Sequence, residues 1–204
     1  MEDKKKMNTA YMVEMALLIA IILIMAFTPI GYIRTLGLEI TLIVVPVAVG
    51  AVTLGPAAGA VLGAVFGITS YIQCFGMSPF GAVLLSINPV YTFIVCVFSR
   101  VLMGWLTGWL YQVFLKSSLL KKASLVLANL CCPLMNTLFF MGTLILFFYQ
   151  TEYIQGIAQG MGAANPLIFI LLFVGVNGLV EAAACFVVGS AISQALKTVV
   201  KRTS

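Results

Sequence analysis

The chain has 204 residues, 62% of them hydrophobic and only 8% charged, and its mean hydropathy is +1.15. So little charge cannot cover the surface of a soluble domain, so the composition points to an integral membrane protein with no room for a separate soluble unit. The net charge of +5 does not indicate a nucleic-acid partner, because the basic residues cluster beside apolar runs, as the positive-inside rule describes.

Residues 1–8, MEDKKKMN, form a polar tail. After it, six apolar spans are expected within a single membrane domain covering 1–204: about 9–27, 40–54, 57–74, 82–115, 123–149 and 166–196. The first lacks a small-residue cleavage site after its apolar run and is expected to remain as a helix, not to be removed as a signal peptide. It stops at Thr28-Pro29, before a loop carrying Tyr32, Arg34 and Glu39. The second contains Pro46, and a Gly55-Pro56 turn leads into the third. The fourth is too long for one straight crossing, and Asn88-Pro89 marks a break near its start. The stretch QTEYIQGIAQGMGAAN joins the fifth span to the sixth. Its glycines Gly156, Gly160 and Gly162 suit a mobile lid, for which Tyr153, Gln155 and Gln159 are candidate gating residues.

Six spans place both termini on one side, with the loop between the fourth and fifth. That side then holds Lys4, Lys5, Lys6, Lys116, Lys121, Lys122, Lys197, Lys201 and Arg202, and the other holds Arg34. The expected fold is therefore an all-α six-helix bundle with both termini cytoplasmic.

Small residues recur every fourth position as Gly55, Gly59, Gly63 and Gly67, with Gly104 and Gly108 further on and Ala16 and Ala20 in the first span. Such spacing lets helix backbones approach closely, and packing inside one bundle is the simplest account. The five cysteines (Cys74, Cys96, Cys131, Cys132 and Cys185) form no CxxC pair and read as small apolar packing residues.

The informative residues are polar ones inside apolar runs. A charge near mid-bilayer costs about 2.5–3.5 kcal/mol on insertion scales, so Arg100 needs a partner or a task. Counting about 1.5 Å per helical residue brings Asn136, Asn177 and Glu181 to a similar depth from two other spans. Arg100 and Glu181 could form a structural ion pair; alternatively Arg100, Asn136 and Asn177 present donors to a polar ligand, with Glu181 orienting the arginine. Glu14 lies near a span end and is expected to reach the interface. There is no histidine, no phosphate-binding GxxxxGK[ST], no GxSxG or HExxH, and no lysine inside a span, so catalysis is not expected.

Several strings are similar to the substrate-binding S components of energy-coupling factor (ECF) vitamin transporters. They are TLIVVPVAVGAVTLGPAAGAVLGAVFGITS (41–70), SRVLMG (99–104), NTLFFMG (136–142) and NGLVEA (177–182). The resemblance covers nearly the whole chain and looks closest to the pantothenate-type branch. It implies a non-enzymatic subunit of a bacterial cell membrane that captures a vitamin from outside. Delivery would require a separate transmembrane coupling subunit and two ATPase subunits; ATP would be used by those partners and no cofactor by this chain. It further implies that Ala16 and Ala20 dock onto the coupling subunit and makes the cluster of Arg100, Asn136, Asn177 and Glu181 a candidate substrate pocket, with Asn88 and Arg34 as further candidate site residues. An anionic vitamin such as pantothenate would account for Arg100. Riboflavin, folate and cobalamin stay open as ligands, as do a self-sufficient small transporter using Arg100 and Glu181 and an assembly protein that only packs partners.

Overall fold

The computed structural model describes residues 9–28, 31–34 and 39–203, except for the side chains of 32–34, 39–40, 176–177, 197 and 199–203. Helix α1 (Thr9–Ala26) is followed by a short antiparallel hairpin of β1 (Tyr32–Arg34) and β2 (Glu39–Thr41). Then come α2 (Val44–Thr53), α3 (Pro56–Gln73) and α4 (Pro79–Ile87). A continuous helical rod runs from Pro89 to Lys116 as α5 (Pro89–Phe93), a π-turn (Ile94–Phe98) and α6 (Ser99–Lys116). The chain continues through α7 (Ser124–Phe148), α8 (Glu152–Gly160) and α9 (Pro166–Ala184), and ends in a second π-turn (Cys185–Gly189) and α10 (Ser190–Thr203).

Three helices start at the same chemical signal. Ser78-Pro79, Asn88-Pro89 and Asn165-Pro166 each place a polar side chain at the N-cap and a proline, which has no N–H to satisfy, in the first turn. The capping oxygens accept from Gly81 N at 3.4 Å, Val90 N at 3.0 Å and Ile168 N at 2.9 Å.

Among the described residues five helical stretches are long and apolar enough to cross a membrane: Thr9–Ala26, Pro56–Gln73, Pro89–Lys116, Ser124–Phe148 and Gly178–Leu196. Two expected spans change. The second span is only the ten residues of α2, about 15 Å of helix, because residues 39–41 are taken by the hairpin. It is nonetheless buried from Val44 to Val52, as befits a helix that is apolar on every side. The fourth breaks at Asn88-Pro89, where the sequence marked a break, leaving α4 as a separate short helix. The sixth is interrupted at Gly175, where φ 27 and ψ −117 leave helical space in a conformation that a side chain would strain.

The expected Gly-rich lid loop is also different: residues 152–160 form helix α8, with Ile154 and Ala158 buried. Gly162, at φ 71, closes that helix, with Ala163 N donating to Ala158 O and Gly162 N to Gln159 O. Glycine here terminates a helix and does not loosen a loop.

The α3 glycines account for the tightest seam in the molecule. A Cβ at Gly59 would lie 2.2 Å from Gly104 O, one at Gly63 2.2 Å from Arg100 O, and one at Gly67 2.7 Å from Val97 Cα. The α3 and α6 backbones therefore touch, and any side chain at these positions would force them apart. Two apolar clusters result. One gathers α1, α2, α3 and the inner parts of α6 and α7, including Leu18, Ile22, Val47, Phe66 and Met103. The other includes Leu84, Val95, Leu144, Phe148, Ile154, Phe169 and Phe173.

Candidate ligand-binding site

Arg100 begins α6 directly after the first π-turn, and its backbone carbonyl is the atom packed against Gly63. A π-turn widens the helix and re-aims its carbonyls, a distortion that recurs at functional sites. The carbonyl offered here is that of Val95, which accepts from Arg100 Nη1 at 2.7 Å and also from the Ser99 hydroxyl. Nη1 donates further to Ser99 Oγ at 3.1 Å. The guanidinium carbon lies 4.4 Å from the Phe140 ring centroid and 5.3 Å from that of Phe66. Arg100 is 7% exposed and sits where the two apolar clusters meet, since Phe66 belongs to the first cluster while Val95 and Phe140 belong to or flank the second.

These contacts go far towards making the charge tolerable. Each cation–π contact supplies about 0.5–2 kcal/mol, and one hydrogen bond from a charged donor about 1.5–3 kcal/mol. Together they offset the roughly 3 kcal/mol cost of placing arginine at depth, and they do so without an anion. What they leave undone is Nε, which is buried and has no hydrogen-bond partner among the described residues.

Glu181, also 7% exposed, lies one turn before the second π-turn. It does not pair with Arg100 among the described residues. Its Oε1 accepts from the backbone N–H of Thr41 at 2.8 Å, and its Oε2 accepts weakly from Asn136 Nδ2 at 3.5 Å. The expectation that Glu181 orients Arg100 therefore gives way to a different role, fastening the end of the hairpin to α9. Asn136 reaches Glu181 from α7: its Nδ2 faces the carboxylate, while Oδ1 is buried with no donor among the described residues. Among the described residues the site thus holds an unmet donor, Arg100 Nε, and an unmet acceptor, Asn136 Oδ1.

The other expected residues fall elsewhere. Asn88 is a helix cap, its Oδ1 accepting from Val90 N and Tyr91 N at 3.0 and 3.1 Å. The Asn177 and Arg34 side chains lie outside the described residues, although the backbone pairs Arg34 with Glu39 across the hairpin. Tyr153 packs against Phe80 of α4 with ring centroids 6.0 Å apart, Gln155 donates to Tyr149 O at 2.8 Å, and Gln159 is exposed. Glu14 is half-buried, and its Oε1 is enclosed with no donor among the described residues. Ala16 and Ala20 are exposed, opposite the buried Leu18 and Ile22 of the same helix.

Sequence reasoning did not anticipate Phe66, Phe140, Ser99, the Val95 carbonyl or Thr41 as site members. Phe140 was within reach, since it stands four residues after Asn136 and so on the same face of α7. The π-turn carries no sequence signal.

The profile of the family described as "ECF transporter, substrate-specific component" matches residues 10–193. The chain belongs to this family. No curated protein matches it significantly. This S component is thus the substrate-binding subunit of an ECF transporter, a multi-pass membrane protein that works with a coupling subunit and ATPases on a small-molecule substrate. Arg100 and Asn136, on helices α6 and α7, lie inside the matched region.

Proposed function

We propose that this S component binds a carboxylate-bearing micronutrient, of which pantothenate is the favoured example, through Arg100 and Asn136. The observation that carries this reading is a buried Arg100 Nε–H and a buried Asn136 Oδ1, neither with a hydrogen-bond partner among the described residues. A guanidinium edge takes a carboxylate through two parallel hydrogen bonds, and a carboxamide oxygen takes a ligand hydroxyl or amide. Two aromatic rings, Phe140 and Phe66, pack near the guanidinium and restrict its movement, which favours such a two-point contact.

In this reading α2 counts as a short sixth crossing, both termini are cytoplasmic, and the hairpin, α4 and α8 lie on the outer side above the site. Tyr153 and Phe80 then sit at the mouth, and α8 is a helical lid. The exposed Ala16–Ala20 stripe of α1 is the surface that docks onto the coupling subunit.

Mass spectrometry of small molecules released from the purified chain tests the substrate. A carboxylate released in stoichiometric amount supports the proposal; a neutral ligand would refute the carboxylate assignment. Arg100→Ala should weaken binding of that molecule by about 2–5 kcal/mol, as when one member of a buried charge pair is removed. Unchanged affinity with lowered thermal stability would make Arg100 purely structural. Ion-coupled uptake into liposomes by the chain alone would favour the self-sufficient transporter instead.

A further inference from the structure

The glycine stripe of α3 continues past Gly67 to Cys74, seven residues or two helical turns further along the same face. There the seam between α3 and the first π-turn ends in a pair of thiols. Cys74 Sγ lies 3.9 Å from Cys96 Sγ, and the two residues are 4% and 5% exposed. The backbones on either side are already in contact, since a Cβ at Gly67 would lie 2.8 Å from Cys96 O. Cys74 Sγ is held from behind as well: a Cβ at Gly81 would meet it at 2.5 Å, and the thiol donates to Ser70 O at 3.4 Å. The two sulfurs therefore face one another across a seam that cannot easily widen.

We propose that Cys74 and Cys96 are an oxidisable dithiol whose disulfide pins α3 to the π-turn that positions Arg100. Cys96 lies in that π-turn and is four residues before Arg100, whose guanidinium holds the carbonyl of Val95, the neighbour of Cys96. Hydrogen peroxide is the oxidant class that fits, being small, uncharged and able to enter an apolar seam. One thiol sulfur attacks a peroxide oxygen; the O–O bond breaks, water leaves, and a sulfenic acid forms. The second sulfur attacks the sulfenic sulfur, the S–O bond breaks, and a second water leaves as the S–S bond forms. Two thiols and one peroxide become one disulfide and two waters. Bringing the sulfurs from 3.9 Å to a bond of about 2.05 Å requires side-chain rotation, with the backbones already adjacent. The other three cysteines are internal controls, with Cys132 and Cys185 fully buried in the first apolar cluster.

The experiment uses the full chain in nanodiscs, treated with hydrogen peroxide or left reduced, then denatured, alkylated and digested without reductant. Reduced protein should carry alkyl groups on all five cysteines, and oxidised protein on three, with one cross-linked peptide joining Cys74 to Cys96. Peroxide should also raise the thermal midpoint and slow amide exchange over residues 94–100, and dithiothreitol should reverse both. Cys131→Ser should keep these responses, while Cys74→Ser and Cys96→Ser should each lose them. Five alkylatable thiols after peroxide, or a cross-link through Cys131, Cys132 or Cys185, would overturn the assignment. A Cys74–Cys96 bond with unchanged exchange at 94–100 would overturn its restraint of the Arg100 segment.

Discussion

Helices α1 and α3 carry the same small-residue spacing and use it in opposite ways. In α3, Gly59, Gly63 and Gly67 are sealed against the backbone of α6 and its π-turn, so closely that each would clash with a main-chain atom if it had a Cβ. In α1, Ala16 and Ala20 face outward, and the helix buries Leu18, Ile22 and Ala26 on its other side. The spacing says that a backbone can be approached closely; it does not say by what. Residue size completes the statement. Glycine is unfavourable in a helix by roughly 1 kcal/mol relative to alanine, so a run of glycines in α3 needs a compensating contact, which α6 supplies. The alanines of α1 carry no such deficit and can wait for a partner.

Adding side-chain volume at chosen positions breaks this comparison in order of size. Gly63→Leu should have the largest effect. It drives a side chain into Arg100 O and should lower stability by at least the roughly 1–3 kcal/mol typical of overpacking, read as a fall in the thermal midpoint in nanodiscs. It should also lose ligand binding, because the carbonyl it displaces belongs to the arginine of the site. Gly59→Ala and Gly104→Ala follow. Each added methyl would meet the other residue's carbonyl, at 2.2 and 2.0 Å, so the two substitutions share one separation of the helices. Their combined cost should fall below the sum of the single costs, a coupling that a double-mutant cycle measures. Strict additivity would mean that the helices yield independently at the two positions.

Glu181→Ala comes next and tests the other side of the site. It removes the acceptor of Thr41 N–H and of Asn136 Nδ2, and each buried group so abandoned costs about 1–3 kcal/mol. Glu181→Gln keeps an acceptor oxygen for Thr41 and should recover part of the loss. If the glutamate served chiefly as a counter-charge to Arg100, the glutamine variant would be as damaged as the alanine one.

The sequence carried the helical, membrane-embedded character of the chain because apolar runs of this length have few alternatives. The ends of α1, α3 and α7 lie within a residue or two of expectation for the same reason. The misjudged segments are those where backbone geometry, not hydropathy, decides. Residues 40 and 41 are expected to open the second span but pair in a strand, Gly175 breaks a run that hydropathy treats as continuous, and 152–160 are polar and glycine-bearing yet helical. In the site, depth arithmetic put Asn136 and Glu181 at one level, and the two are hydrogen-bonded. It could not foresee that two phenylalanine rings and a re-aimed carbonyl would hold the arginine, because charge arithmetic searches for an anion first.

The smallest expected stability change is at the outward stripe. Ala20→Leu places extra apolar volume on an exposed face with no neighbour to displace, so the thermal midpoint of the isolated chain should move by no more than about 0.5 kcal/mol equivalent. Ligand binding by the isolated chain should be unchanged, since Arg100 and Asn136 lie on other helices. In the reconstituted complex with its coupling subunit and ATPases, the same substitution should abolish ATP-driven uptake, because the proposed docking needs the close approach that only a small side chain permits. Full uptake with Ala20→Leu and with Ala16→Leu would move the docking surface off this stripe and leave α1 as a lipid-facing helix. Loss of ligand binding by the isolated variant would instead mean that α1 packs inward in the functional state, and the contrast with α3 would then be one of degree.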